Sequence, residues 1–359
     1  MSDNTILSHA HLFIDVLKDP DRKPIPRMIS EILYLAFVFK RIHRHYFSSY
    51  LFKKWRINIR DFFPTKFLYY KIKPFLNENE VMEVLENKLY FDFFYNQFDI
   101  RMPNIPMYNF RKMFVFDKKS IEINNARDFK VLLEELFKKY PSYDSLMIKK
   151  TYWSYGGAKI FKIYADEIAK ETDTINELYS EVIKSGFLFQ ETIKQHPDLN
   201  VLNPSCLNTI RFDTFIDPDG KIEIMSGYMR MSINNLCVDN YSSGGCYVGI
   251  DINTGKLKRE AYLDFRHSGV KVLFTHPITN VVFENFAIPF FPEAKELVIR
   301  TASYMPGLRI VGWDVGIGET GPVLIEGNSD YEITGNDIAD GGYRANPVFR
   351  KVLRELNYL

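Results

Sequence analysis

The stretch LRIVGWDVGIGETGPVLIEGN, residues 308–328, decides the fold of this chain. Two apolar runs flank its central Gly-Glu-Thr-Gly, a pattern typical of antiparallel strands joined by a tight turn. If the hairpin is symmetric about Thr320, Asp314 lies opposite Glu326. Asn328 then shares a face with Glu326, because side chains alternate along a strand. The stretch therefore predicts two carboxylates and an amide at one place on a hairpin.

This cluster suits a divalent cation. Carboxylate and amide oxygens are hard ligands, and Mg²⁺ binds such oxygens while it keeps waters and nucleotide phosphates in its other positions. We therefore expect Asp314, Glu326 and Asn328 to bind magnesium, or manganese in its place, together with a nucleotide. The alternative is a hairpin whose polar residues simply face solvent.

Composition bounds the class of protein. The 359 residues are ample for a large core and suggest two or three subdomains. Lys and Arg number 46 against 45 Asp and Glu, which gives no sign of a nucleic-acid partner. Cys206, Cys237 and Cys246 have neither metal-site spacing nor an even count, so we expect reduced thiols. The apolar run at 32–39 is far short of the roughly 20 residues that span a bilayer, and no signal-peptide pattern precedes it. We therefore expect a cytoplasmic location.

The N-terminal part of the chain is basic and helical in pattern. Ten Lys or Arg but only one acid, Asp61, lie between residues 40 and 73, and aromatic residues interleave with them. We interpret residues 1–75 as a basic helical extension. Its aromatic residues either pack against the rest of the protein or form a surface for a membrane or a glycosyltransferase. In the second case residues 40–73 would place the protein at the inner face of the membrane, because cations beside aromatic rings suit anionic headgroups.

A glycine-bearing loop follows a short apolar strand that ends in two lysines. Glycines let backbone amides approach a polyphosphate, and a lysine on the preceding strand can reach the phosphate oxygens. The loop candidates for nucleotide binding are Ser154, Gly156 and Gly157. Lys149 is the first choice for the strand lysine, and Lys150 would point to the opposite face.

A second apolar strand, at 187–193, contains Gln190 and Glu191 and ends at Ile193. Backbone groups at such a strand end could bind adenine, and the carboxylate could accept hydrogen bonds from ribose hydroxyls. These three residues are therefore candidates for nucleotide binding. An ordinary buried strand with one exposed glutamate is the alternative.

A strong turn signal, Asp-Pro-Asp-Gly at 217–220, joins two further strands that each contain an arginine. Pairing about this turn predicts Arg211 opposite Ser226 and Arg230 opposite Leu207. The two arginines would share a face, roughly 13 Å apart along the strands. Arginines so placed can bind phosphate and carboxylate bidentately, although either could instead be a surface charge.

Together these features resemble the ATP-grasp superfamily, and within it the branch described as sugar-transfer-associated ATP-grasp proteins, related to the glutamate-ligase type. The resemblance covers roughly residues 85–350. It implies an α+β fold in which two subdomains clasp ATP. The expected divisions are an N-terminal α/β subdomain at 76–140, a small subdomain with the glycine loop and hinge at 141–195, and a C-terminal subdomain with the hairpin at 196–359. The motifs that match are Lys149, Gly156-Gly157, Phe189-Gln190-Glu191, Asn208-Thr-Ile-Arg211, and Gly312-Trp-Asp314 followed by Ile325-Glu-Gly-Asn328.

The resemblance also implies roles for residues. Lys88 resembles an early nucleotide-binding lysine, Lys149 the lysine before the mobile loop, and Arg211 an arginine that holds phosphate. With Lys149 and Arg211, Arg230 is a candidate for catalysis. One departure is that Lys150 stands where the family normally has proline, so the choice of lysine stays open.

The family's usual reaction converts a carboxylate and ATP to an acyl phosphate, which an amine then captures. We therefore expect a carboxylate–amine ligase acting on a sugar acid or an amino acid in cell-surface polysaccharide biosynthesis, such as capsule formation. An ATP-dependent phosphotransferase and a non-catalytic ATP-binding scaffold at the membrane are the alternatives.

Overall fold

The computed structural model describes residues 13–40, 42, 44–152, 159–170, 172–234, 239, 244–265 and 269–359. Helices and two antiparallel sheets make up this part of the chain. The main helices are α1 (Ile25–Val38), α2 (Asn79–Glu86), α3 (Lys88–Tyr95), α4 (Ala126–Lys139), α5 (Ala165–Lys170), α6 (Thr172–Val182), α7 (Pro197–Leu202), α8 (Phe291–Ser303), α9 (Thr334–Asp340) and α10 (Pro347–Glu355). In the described ranges no helix combines the length and the apolar character that a membrane span needs.

The first sheet has six strands in the order β3-β2-β1-β6-β4-β5. Its strands are β1 (Met107–Phe110), β2 (Met113–Phe116), β3 (Lys119–Glu122), β4 (Ser145–Lys150), β5 (Ile160–Tyr164) and β6 (Gly186–Glu191). β6 lies between β1 and β4, so strands from both sides of residue 140 belong to one sheet. The expected division between 76–140 and 141–195 therefore falls within a single subdomain.

Helix α4 covers this sheet. Asn125 caps its N-terminus by accepting a hydrogen bond from the Asp128 N–H at 2.9 Å. Phe129, Leu133 and Leu136 recur at helical spacing and are fully buried. Their face of the helix packs on the sheet with α6 to form the core of this subdomain.

The second sheet has seven strands in the order β11-β10-β9-β8-β7-β12-β13. They are β7 (Thr209–Ile216), β8 (Ile222–Ser232), β9 (Gly245–Asp251), β10 (Lys256–Leu263), β11 (Val272–Leu273), β12 (Ile310–Gly318) and β13 (Gly321–Asn328). β7 and β12 are central and every residue in them is buried. One face, with Phe212, Met229 and Val248, packs against α8 in a large apolar core. The alternate residues form the opposite face, which contains the polar side chains of interest.

The N-terminal segment, residues 13–75, packs on part of that opposite face and does not stand apart from it. Tyr50 and Phe52 lie in one apolar cluster with Tyr262 and Ile338 of the seven-stranded subdomain. The Tyr50 hydroxyl donates to the Leu263 carbonyl at 2.9 Å. Tyr50 and Phe52 therefore belong to the core of the protein, whereas other aromatic residues of the extension, such as Phe37, are exposed.

Several cations of the basic region are also internal. Lys53 pairs with Asp19 at 2.6 Å, and both side chains are about 5% exposed. Arg56 Nη2 donates to the Tyr262 hydroxyl at 2.6 Å and to the Ile338 carbonyl at 3.0 Å. The hydrogen bonds of Arg56 hold the N-terminal segment against the rest of the protein. Because Lys53 and Arg56 are buried, the surface of the segment is less basic than its sequence indicates.

Candidate active site

The hairpin of β12 and β13 brings its polar side chains together as predicted. Asp314 lies opposite Glu326 in the strand register. Asn328 lies on the same face, with its Nδ2 3.5 Å from Glu326 Oε1. Asp314 is fully buried, whereas Glu326 and Asn328 are partly exposed. We call these three residues the acidic cluster.

The predicted pairing of the two arginines is wrong. Arg211 lies opposite Tyr228, and Arg230 lies opposite Thr209. The turn shifts the register by one residue and a bulge between Asp213 and Thr214 shifts it by another. A shift of two keeps every side chain on its face. The arginines thus share a face, but as diagonal neighbours roughly 7 Å apart rather than roughly 13 Å.

This closer placement lets both arginines bind one carboxylate. Arg211 donates to Asp314 through Nε and through Nη2, the latter at 3.0 Å from Oδ2. Arg230 Nη2 lies 2.7 Å from the same Oδ2. Burial disfavours the charged guanidinium of Arg211, but the Asp314 carboxylate outweighs it and the pKa of Arg211 lies well above its usual value. Both guanidinium groups are therefore fixed and charged.

A second carboxylate beside Arg230 is not singled out by the sequence reasoning. Asp239 Oδ2 lies 3.7 Å from Arg230 Nε and accepts from the Thr209 N–H at 3.0 Å. The Thr209 hydroxyl donates to the same oxygen. The only signal in the sequence is that Asp239 opens a glycine-bearing stretch, DNYSSGG. Its carboxylate helps to raise the pKa of Arg230, against the effect of burial.

Lys88 reaches the acidic cluster from the N-terminus of α3. The Asn87 side chain caps this helix by accepting from the Leu89 N–H at 3.0 Å, which fixes Lys88 as its first residue. Lys88 Nζ lies 2.7 Å from Glu326 Oε2. Burial would raise the pKa of Glu326, but pairing with Lys88 outweighs it and the pKa lies far below its usual range.

Lys149 approaches the cluster from the six-stranded sheet. Its Nζ donates to Gln190 Oε1 at 2.8 Å, across the β4–β6 pair. Burial lowers the pKa of Lys149 to about 8, and the charge of Lys88 adds to this effect while Glu326 opposes it. Lys149 lines the cavity described next, whereas the neighbouring Lys150 does not. This geometry favours Lys149 over Lys150 as the lysine on the nucleotide side.

The hinge residues lie where β6 ends. Glu191 is the last residue of the strand, and its N–H donates to the Asn104 carbonyl at 2.9 Å. Ile193 lies two residues further on. Within the described residues the backbone N–H and C=O of Ile193 pair with no other backbone group. Ile193 lines the cavity, where an aromatic heterocycle could pair with its backbone.

A cavity of about 730 Å³ connects all of these residues and lies between the two sheets. This volume is in the range of small-molecule sites. Ser154, Gly156 and Gly157 lie outside the described residues. Every other candidate residue from the sequence lines the cavity: Lys88, Lys149, Gln190, Glu191, Ile193, Arg211, Arg230, Asp314, Glu326 and Asn328.

The donor set of the acidic cluster fits a divalent cation. Glu326 and Asn328 offer a carboxylate and an amide oxygen to the cavity. Asp314 accepts two hydrogen bonds from Arg211, one at Oδ1 and one at Oδ2, and Oδ2 also lies 2.7 Å from Arg230 Nη2 in an ion pair. A carboxylate has about four acceptor positions, so one position on Oδ1 is left for a cation. In the described part of the chain no group of three His, Cys, Asp or Glu side chains could hold a metal ion, and the third oxygen donor of this cluster is the Asn328 amide.

Two antiparallel sheets face each other across a cavity that has lysines, arginines and carboxylates in its walls, as expected for an ATP-grasp protein. The chain belongs to the family described as sugar-transfer associated ATP-grasp, whose family model matches residues 69–346. The α+β fold and the family expected from the sequence are thus confirmed.

Three solved structures are similar to this chain at low sequence identity. D-alanyl-alanine synthetase A from Vibrio cholerae is 13% identical, with a TM-score of 0.44, and the match covers 78% of this chain and 68% of that one. A biotin carboxylase from Campylobacter jejuni is 12% identical, with a TM-score of 0.44, over 79% and 48%. A D-alanine–D-alanine ligase from Bacillus anthracis, complexed with ATP, is 12% identical, with a TM-score of 0.39, over 77% and 67%. No curated protein gave a significant sequence match.

Proposed function

We propose that this protein is an ATP-dependent ligase that joins a carboxylate to an amine through an acyl phosphate. The observation that supports it best is the pair of buried arginines fixed by Asp314 beside the acidic cluster. A carboxylate and a triphosphate repel each other, so a site that brings them together needs fixed positive charge at the point of contact. Arg211 and Arg230 provide that charge without reorganisation.

ATP would lie along the cavity from the hinge to the arginines. Adenine would pair with the backbone of Ile193, and Glu191 would accept hydrogen bonds from the ribose hydroxyls. Lys149 and Lys88 would hold the α- and β-phosphates, since both ammonium groups border the cavity between the hinge and Glu326. Glycine-loop residues Ser154, Gly156 and Gly157, which lie outside the described residues, remain candidates for the phosphates.

Asp314, Glu326 and Asn328 would hold Mg²⁺, and Mn²⁺ accepts the same oxygen donors. When bound, the cation would neutralise oxygens of the β- and γ-phosphates. Glu326 now pairs with Lys88 at 2.7 Å, so a change of partner there would accompany metal binding.

The reaction needs no side-chain nucleophile. A substrate carboxylate oxygen attacks the γ-phosphorus, the bond from that phosphorus to the bridging oxygen breaks, and ADP leaves. An amine nitrogen then attacks the acyl carbon, phosphate leaves, and the amine loses one proton to it or to water. Arg211 and Arg230 would bind the transferring phosphoryl group and the acyl phosphate, because both steps concentrate negative charge there.

The substrates we propose are a sugar acid or an amino acid, with an amine partner, in cell-surface polysaccharide biosynthesis. The test is a screen of purified protein with Mg-ATP against uronic acids crossed with amino acids, with ADP release measured. We expect release only when a carboxylate and an amine are both present. A stable phosphorylated product without an amine would favour a phosphotransferase, and ATP binding without any release would favour a scaffold.

We also propose that α1 contacts an anionic membrane surface. Ile29, Leu33 and Phe37 recur every four residues on its outer side and are 54%, 61% and 73% exposed. Lys40 Nζ lies 4.7 Å from the centre of the Phe37 ring, so a cation accompanies the apolar stripe. This combination suits insertion between anionic headgroups. It shifts the expected contact from residues 40–73 toward α1.

Vesicle flotation tests this contact. We expect the wild-type protein to float with phosphatidylglycerol vesicles but not with phosphatidylcholine vesicles, and Leu33→Asp to abolish flotation without lowering the melting temperature. Equal flotation of Leu33→Asp and wild type would refute the assignment.

A further inference from the structure

The cavity continues past the arginines, away from the nucleotide end. We define the far pocket by six of the residues that line the cavity: Ser48, Thr65, Tyr228, Tyr247, Asp264 and Phe265. The strand register locates it. In one row across the sheet Arg211 lies between Asp314 and Tyr228, and in the next row Arg230 lies between Thr209 and Tyr247. Tyr247 is three strands from β12, or roughly 14 Å.

The walls of the far pocket come from two parts of the chain. Ser48 and Thr65 belong to the N-terminal segment and lie outside the family match, which begins at residue 69. Their positions are fixed by hydrogen bonds to the sheet and to α9. The Thr334 hydroxyl donates to the Thr65 hydroxyl oxygen at 3.0 Å, and the Tyr50 hydroxyl, two residues after Ser48, donates to the Leu263 carbonyl at 2.9 Å. The segment thus closes one end of the cavity.

The chemistry of the far pocket differs from that of the nucleotide end. Tyr228 and Tyr247 stand with ring centres 5.0 Å apart and ring planes at 52°, which makes an aromatic wall. Asp264, Ser48 and Thr65 line the same space. No lysine or arginine is among the six residues. The far pocket therefore offers ring faces and hydrogen-bond acceptors, but no charge for a phosphate.

A sugar ring matches both features. One face of a pyranose is rich in C–H groups, whose slight positive charge is attracted to the negative face of an aromatic ring. Its hydroxyls can donate to a carboxylate and exchange hydrogen bonds with Ser and Thr hydroxyls. A sugar acid that places its ring against the tyrosines would direct its carboxylate toward Arg211 and Arg230, one strand away.

We infer that the far pocket, built jointly by the N-terminal segment and the seven-stranded sheet, binds the polyhydroxylated ring of a sugar-acid substrate while the arginines hold its carboxylate. This inference rests on the proposed function, because it takes the arginines as the site of the reacting carboxylate. It assigns the N-terminal segment a role in specificity.

The test introduces a bulky side chain at Ser48 in the full chain. Ser48→Trp would fill the far pocket, and Ser30→Trp places the same side chain on the exposed side of α1 as the matched control. Saturation-transfer NMR with Mg-ATP present would measure binding of glucuronate and galacturonate, with glutamate and alanine as acids that have no sugar ring. We expect at least a tenfold loss of uronate binding in Ser48→Trp and none in Ser30→Trp, with ATP affinity within twofold of wild type in both.

Asp264→Asn is the second variant, since it preserves shape and needs no repacking. We expect it to weaken uronate binding at least threefold while the melting temperature gained on adding Mg-ATP stays as in wild type. The inference is overturned if the wild-type protein binds no uronate, if Ser48→Trp and Ser30→Trp bind uronate equally, or if only glutamate or alanine binding responds. Wild-type protein that binds no Mg-ATP would instead overturn the proposed function.

Discussion

The two sheets contribute to the cavity in different ways. The seven-stranded sheet presents a dense charged network in which Asp314 fixes both Arg211 and Arg230. The six-stranded sheet presents two lysines to the cavity: Lys149, which is held by the neutral side chain of Gln190, and Lys162. Because a fixed network is costly to change and separate lysines are not, we expect chemistry to depend on the first sheet face and nucleotide affinity on the second.

Removal of Glu326 should have the largest effect. Glu326→Ala deletes a proposed metal ligand and the partner of Lys88, and we expect turnover to fall roughly 10³-fold, by analogy with loss of one preorganised electrostatic group. Glu319→Ala, an exposed residue at the turn of the same hairpin, is the matched control and should be unaffected. ADP release measures both. Normal turnover in Glu326→Ala would remove the metal assignment.

Asp314→Asn should lower the stability of the folded protein. The variant leaves two buried guanidinium groups without their shared carboxylate, and breaking a buried ion pair on one side costs about 3–5 kcal/mol. Urea unfolding should therefore show a free energy of unfolding lower by about 3 kcal/mol. If the stability of Asp314→Asn equals that of wild type, the network does not fix the arginines.

Lys149→Met should affect ATP more than it affects the fold. A charge-assisted hydrogen bond to phosphate contributes about 1.5–3 kcal/mol, so the Kd for Mg-ATP should rise roughly 10–100-fold. Lys150→Met is the control, because Lys150 does not line the cavity. Isothermal titration would measure both, and a larger effect of Lys150→Met would reverse the choice between the two lysines.

The role of Lys149 in nucleotide binding also predicts how the affinity for Mg-ATP depends on pH. The pKa of Lys149 is about 8, so this side chain is charged below that pH and neutral above it. Affinity for Mg-ATP should therefore fall as the pH rises through 8 and beyond, whereas Lys149→Met should show no such fall. Stability of the free protein should change in the opposite direction. Between about pH 8 and pH 10 the unfolded lysine binds a proton that the folded one has lost, so folding becomes more favourable as pH rises.

The smallest effect should come from the helix cap of the six-stranded subdomain. Asn125→Ala removes the hydrogen bond to the Asp128 N–H and should lower the free energy of unfolding by about 1 kcal/mol. Turnover at saturating ATP should not change, because the cap is remote from the charged face. Asn124→Ala, on the adjacent exposed position, is the control. A fall in turnover with Asn125→Ala would contradict the expectation that catalysis depends on the seven-stranded sheet.

The sequence pattern correctly predicted that Asp314 pairs with Glu326, but this pairing also depends on a β-bulge that the pattern does not reveal. The observed turn pairs Gly318 with Gly321, half a residue from the symmetric centre that was assumed. A bulge between Asp314 and Val315 then restores the pairing of Asp314 with Glu326. In β7 and β8 the bulge adds to the turn shift, and the arginine partners were mispredicted. Bulges depend on tertiary packing, so sequence alone does not place them.

Contacts between distant segments were also hidden. Nothing local to Ser48 or Thr65 indicates that these residues line the same cavity as Arg230, because the N-terminal segment is placed by its packing on Tyr262 and Ile338. Asp239 is another example, since only the fold brings it to 3.7 Å from Arg230. The sequence predicted which side chains share a face of a strand. It did not predict which residues from distant segments become neighbours in the fold.

The measurement that tests the central claim most directly is the fate of substrate oxygen. With a carboxylate and amine pair that supports ADP release, the carboxylate would be labelled with ¹⁸O and the released phosphate analysed by mass spectrometry. An acyl phosphate requires one labelled oxygen to move from the carboxylate to phosphate in each turnover. Unlabelled phosphate, or a product that retains both labelled oxygens, would contradict the ligase mechanism.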